Sequence, residues 1–144
     1  MRKIIYTRPD NGISVVSIPV DTDEVLAAAI SRIGVEATNI QVVDGSIIQQ
    51  DRTFRNGWVQ SGASIIHDMS ICRAIWRDRM RFARAPKLAQ LDMQYLRADE
   101  QGDILEKQRI ASQKQELRDV TSHPDINASA TPEDLKLVWP AILE

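Results

Sequence analysis

The side chains with the most distinctive chemistry in this 144-residue chain are two histidines, one cysteine, three tryptophans and a row of arginines. His67 precedes Asp68, a pairing also found in metal-dependent phosphohydrolases, but such a site needs further imidazole and carboxylate ligands, and the other histidine, His123, sits in a polar stretch. A polar strand end beside a helix cap explains the pair better. Cys72 falls on an apolar helical stripe, where it serves as a small buried hydrophobe; a nucleophile needs an activating base, and the sequence assigns none. The glycines stand at 12, 34, 45, 57, 62 and 102, never clustered, so there is no dinucleotide fingerprint and no phosphate-cradling loop. Nor is there a strained nucleophile elbow or an acid pair at diagnostic spacing. The expectation is a non-enzymatic protein with no metal, no cofactor and no small-molecule substrate.

Arg73, Arg77, Arg81 and Arg84 recur at helical spacing, and residues 71–91 hold six basic side chains against one acidic, Asp78. Guanidinium groups so placed suit carboxylates or phosphates. One reading is a solvated face paired with Glu106, Glu116 and Asp119 of a returning helix; the other is a surface for a protein partner. Nucleic acid is disfavoured, because no aromatic interleaving accompanies the arginines and the whole chain carries 18 Lys+Arg against 20 Asp+Glu, for a net charge of -2. Trp76 lies on an apolar stripe and reads as core. Trp58 and Trp139 are candidate anchors for a partner, although Trp139 equally serves to fasten the tail onto its own domain. The candidate binding residues are therefore Arg73, Arg77, Arg81, Arg84, Trp58 and Trp139.

The elements that must position these residues change character near residue 67. Before it, Ile- and Val-rich runs are broken by turns: KIIYT and ISVVSIPV flank RPDNG, where Asn11-Gly12 supplies the positive φ of a tight hairpin. Val15, Val16 and Ile18 place apolar groups on both faces of the second strand, which predicts cover on both sides, one of them a helix. That helix is capped by Asp21 or Thr22, shows Leu26, Ile30 and Ile33 on one stripe, and stops at Gly34. Ile40 and Val42 alternate with Gln41 as in a strand, and WVQSGASII turns at Ser61-Gly62 as a second hairpin.

After residue 67 the period is helical. Met69, Cys72, Trp76, Met80 and Ala83 form one apolar stripe, with Ile71, Ile75 and Phe82 beside it and the arginines on the remaining face; Asp68 or Ser70 is the N-cap. Pro86 either kinks or ends the helix, beyond which Leu88, Leu91 and Tyr95 continue a stripe. Gly102-Asp103 turns the chain into a returning helix over 104–120, making an αα-hairpin. The tail is loop until Thr131 caps a short helix with Pro132 at its first position, ended by Pro140. The fold class is α+β: N-terminal hairpins with one helix, then a helical hairpin and a short terminal helix, divided as 1–66 and 67–144 or built on one shared core.

At 43% hydrophobic and 144 residues the chain has room for one domain or two small modules. A single cysteine excludes an internal disulfide and suggests a reducing compartment. No run approaches 18 apolar residues, and MRKIIYTRPDNG lacks the apolar segment of an export signal, so neither membrane insertion nor secretion is expected.

Three stretches carry a resemblance: DRTFRNGW at Asp51 to Trp58, RAIWRDRMRFARAPKLAQLD at Arg73 to Asp92, and KQELRDVTSHPDI with LKLVWP at Lys114 to Ile126 and Leu135 to Pro140. Together they look like small proteins of tailed bacteriophages and prophages, and the second half resembles the tail fibre assembly chaperones. That family typically has an arginine-rich helix ending in leucine and aspartate, a helix with an LRD sequence and a terminal Trp-Pro. The matching positions are Arg77, Arg79, Leu91 and Asp92, then Leu117, Arg118 and Asp119, then Trp139 and Pro140. The resemblance implies a helper that binds the distal end of a trimeric tail fibre in the host cytoplasm and assists its assembly, or stays with it in the virion. The alternatives are a structural virion component, such as a capsid decoration or tail accessory subunit, and a nucleic-acid-binding regulator.

Overall fold

The computed structural model describes all 144 residues, Met1–Glu144. The chain divides within its longest helix into two units, Met1–Cys72 and Arg73–Glu144. Unit 1 opens with strands β1 (Arg2–Thr7) and β2 (Ile13–Ser17), followed by helix α1 (Asp23–Ser31) and strand β3 (Thr38–Asp44). These strands form an antiparallel sheet ordered β2-β1-β3, with Ile4 opposite both Val16 and Val42. The hairpin turns as expected: the Asn11 amide donates to the Arg8 carbonyl at 2.9 Å, the Arg8 amide to the Gly12 carbonyl at 2.8 Å, and Asn11 takes φ 62°. Asn11 alone bears the left-handed conformation, a three-residue loop closed by a bulge.

Alternation along the strands sends apolar groups both ways, and both faces are covered. On one, Ile4 and Ile18 meet Leu26 of α1, with Val16, Val25, Ala29, Ile30 and Ile33 around them. On the other, Ile5, Ile13 and Val43 pack with Ile48 and Trp58. Ile4 and Ile5 are wholly buried, each contributing about 1.5–3 kcal/mol by leaving water. Thr22 caps α1, its hydroxyl accepting from the Val25 amide at 3.3 Å. Arg2 ties the start of α1 to the sheet, with its Nε donating to Asp21 at 2.6 Å and Nη1 to Asp23 at 2.8 Å. Hydrogen bonds from the Arg2 amide and side chain hold the Asp21 carboxyl below its usual range. Ile40 and Val42 lie in a strand as their alternation predicts, but the buried residue of β3 is Val43, and Ile40 and Val42 are 37% and 41% exposed.

A second hairpin, β4 (Trp58–Ser61) and β5 (Ser64–His67), turns at Gly62 with φ 60°. Helix α2 then runs from Met69 to Glu100. Asp68 caps it, Oδ1 accepting from the Ser70 amide at 2.8 Å. Pro86 stays inside the helix. The bond it cannot donate would have gone to the Phe82 carbonyl, and Phe82, Ala85 and Pro86 are all exposed, so water can take that acceptor.

In unit 2 the rest of α2 is followed by α3 (Ile104–Asp119), capped by Asp103, which confirms the helical hairpin. The stretch expected to be loop contains a further short helix, α4 (Pro124–Ala128). Its signal was Pro124 at the first helical position, with His123 as cap: Nδ1 accepts from the Asp125 amide at 3.3 Å. Helix α5 (Pro132–Lys136) follows Thr131, whose hydroxyl accepts from Asp134 at 3.1 Å. The core of this unit includes Trp76, Met80, Ile110, Leu117, Ile126 and Leu135.

A methyl group at Gly57 would lie 2.9 Å from Cys72 Sγ, a fully buried atom. Gly57→Ala is therefore expected to destabilise unit 1 by about 1–3 kcal/mol. Combining it with Cys72→Ala should recover part of that loss, a coupling above about 0.5 kcal/mol in a double-mutant cycle followed by chemical denaturation.

Candidate functional site

The row of arginines on α2 turns inward at three of its four positions. Arg73 Nε donates to the Ile126 carbonyl at 3.1 Å and Nη2 to the Ser129 carbonyl at 2.8 Å. Arg77 Nε reaches the Thr121 carbonyl at 3.2 Å, and its Nη2 reaches Asn127 Oδ1 at 2.6 Å. Arg84 Nη1 donates to the carbonyls of Leu117 at 3.3 Å and Arg118 at 2.7 Å. Most of these acceptors lie where α3, the 3-10 turn Val120–Ser122 and α4 come to an end. Carbonyls there have no further amide in their own helix and carry the negative end of its dipole, so a cation with several donors suits them. Arg81 alone faces outward and pairs with Asp78 at 2.5 Å.

This corrects the expected pairing with acidic groups. Glu106 instead binds Arg109, whose guanidinium holds its carboxyl below the usual range, and Asp119 accepts from Gln115 at 2.8 Å. Arg73, Arg77 and Arg84 are half-buried cross-braces, and only Arg81 of that row presents itself to solvent.

Trp58 is likewise used within its own unit. It is 3% exposed, its Nε1 donates to His67 Nε2 at 3.1 Å, and the Arg52 guanidinium stands 5.3 Å from its ring. The expectation of an anchor for a partner does not suit a side chain so enclosed. His67 takes the strand-end role expected of it. Trp76 is core, as expected, with Nε1 donating to the Val138 carbonyl at 2.8 Å. Trp139 meets Trp76 edge to face, ring centroids 5.4 Å apart, so the Trp-Pro segment is fastened onto α2 while part of the Trp139 ring stays accessible.

That accessible part borders an apolar hollow of about 460 Å³ lined by Ile75, Phe82, Ala83 and Trp139, with Asp78 and Arg79 at its rim. Phe82 is 86% exposed. Apolar periodicity placed Ile75 and Phe82 beside the core stripe, but the flank that is packed is the arginine one, which leaves Phe82 in solvent and Ile75 half-buried. Of the sequence-selected residues, Trp139 reaches this hollow; Phe82 and Ile75 were read as packing residues.

The resembled positions have structural uses. Asp92 pairs with Lys114 at 2.6 Å, and Tyr95 lies between Lys107 and Lys114, whose Nζ atoms stand 5.5 and 5.4 Å from its ring. Leu117 is 2% exposed. No helix is long and apolar enough to cross a membrane.

Replacing Arg73, Arg77 and Arg84 together by Gln keeps helix propensity but removes the charged donors. Bonds to charged groups contribute about 1.5–3 kcal/mol each, less where half-exposed, so the triple variant should lose on the order of 3 kcal/mol in a denaturant titration. Arg81→Gln should change stability by no more than about 0.5 kcal/mol.

Compared with family models, with characterised proteins and with solved structures, this chain matches none.

Proposed function

We propose that the chain is a non-enzymatic assembly protein of a tailed bacteriophage or prophage. It binds the distal end of a trimeric tail fibre through the hollow around Phe82, acting in the host cytoplasm or staying with the fibre in the virion. The single observation that carries this reading is an aromatic side chain left 86% exposed beside Ile75, Ala83 and the accessible part of Trp139. A contiguous apolar surface rimmed by charge on a small protein marks a place where another protein sits. The motif resemblance, whose terminal Trp139 lines the hollow, supplies the kind of partner. A fibre tip suits such a surface, because unassembled trimer ends expose strand edges and apolar patches that a capping protein can cover.

Asp78 and Arg81 pair at the edge of the hollow, and Arg79 stands 5.7 Å from the Trp76 ring. Such rim charges tune approach and salt dependence more than affinity, which resides in the buried aromatic contacts.

Co-expression with the fibre encoded beside it in its genome tests the reading. Wild-type protein should co-purify with the fibre, and Phe82→Asp should reduce recovery at least tenfold while its thermal midpoint stays within a few degrees of wild type. Equal recovery of Phe82→Asp, or association with capsids and no fibre, would overturn it.

A further inference from the structure

Unit 1 carries an open strand edge beside a groove, a feature independent of the fibre reading. β2 is the edge strand of its sheet. Because Arg8 and Gly12 form a hydrogen-bonded pair, alternation makes Tyr6–Ser14 and Ile4–Val16 bonded pairs as well. The main-chain groups of Ile13, Val15 and Ser17 therefore point away from β1, and no backbone hydrogen bond reaches them from the far side. Alongside lies a groove of about 530 Å³ between β2 and α1, floored by Val16 and Ile18 and walled by Val25, Ala28 and Ile33. Ala28 and Ala29 give α1 short side chains along the groove, leaving room for side chains to enter.

Two charges mark its ends. Glu24 and Arg32 both line the groove, both are exposed, and neither forms an ion pair. They are eight residues apart on or just beyond α1, about 12 Å along the axis. An extended peptide covers that span in about four residues, and residues i, i+2 and i+4 of a strand share a face. The short connection from Ser17 to the start of α1 at Asp23 puts Glu24 at the Ser17 end of β2 and Arg32 at the Ser14 end.

We propose that this edge and groove bind an extended segment of a partner protein as an added antiparallel strand. The segment has a basic residue, an apolar residue two positions later and an acidic residue two positions after that. Its main chain pairs with Ile13, Val15 and Ser17. The apolar side chain enters the groove, the basic one meets Glu24 and the acidic one meets Arg32. The open main-chain row demands an extended backbone, and the separated charges set its direction.

The test uses the acetylated, amidated peptide Thr-Lys-Thr-Val-Thr-Asp-Thr, titrated into the isotope-labelled full chain by NMR. Saturable shifts should centre on the amides of Ile13, Val15 and Ser17. N-methylation of one alternate set of peptide amides should weaken binding at least tenfold, and methylation of the other set should be tolerated. The Glu24→Lys, Arg32→Glu double variant alters only exposed, unpaired groups and should switch preference to the peptide with Lys and Asp exchanged. No binding at 1 mM peptide, equal tolerance of both methylation patterns, an unchanged preference in the double variant, or β2 shifts that track protein concentration without peptide would each overturn the proposal; the last would mean that copies of the chain pair with each other.

Discussion

A helix that stops leaves its last carbonyls without donors, and unit 2 meets that constraint repeatedly with guanidinium groups from one helix. Arg73, Arg77 and Arg84 cover acceptors between Leu117 and Ser129, where α3, a 3-10 turn and α4 end within a short stretch of chain. Three terminations so close together would leave a cluster of partly buried carbonyls competing for water. A guanidinium group carries five N–H donors on a long stem, so one side chain can satisfy carbonyls from successive turns.

The rest of the unit follows from that arrangement. With the arginine flank turned toward α3 and α4, Trp76 and Met80 of α2 are buried, as are Ile110 and Leu117 of α3, Ile126 of α4 and Leu135 of α5. On the opposite flank Phe82 is exposed and Ile75 half-buried. The Trp-Pro segment then closes beside them, held by Trp76 through an indole-to-carbonyl hydrogen bond and an edge-to-face ring contact. The surface proposed to meet a partner is thus a by-product of how the helix ends are satisfied.

The sequence made the elements legible wherever local chemistry decides them. Asn11, Thr22, Asp68 and Thr131 mark turns and caps by side-chain chemistry alone, and each holds the place read for it. The orientation of α2 was not legible in the same way. Around the helix, Arg73, Arg84 and Arg77 lie about 60–100° to one side of Trp76, and Ile75 and Phe82 about 100–120° to the other. Apolarity favours burying the second flank, but the acceptors that favour the first belong to residues 117–129, some 40 positions downstream. The burial of Val43, with Ile40 and Val42 on the more exposed face, has the same origin, since one strand carries apolar groups on both faces and only packing partners select between them. The open edge of β2 also needed the strand order, which no local pattern specifies.

The arginine side chains of α2 act as internal donors, and hydrogen exchange at their Nε–H groups, followed by NMR, reads that directly. Arg73 and Arg77, whose Nε atoms donate to the carbonyls of Ile126 and Thr121, should exchange at least tenfold more slowly than Arg79 and Arg81. Equal, fast exchange at all four would mean that the arginine flank is solvated, and would contradict the orientation of α2 on which the exposed Phe82 surface depends.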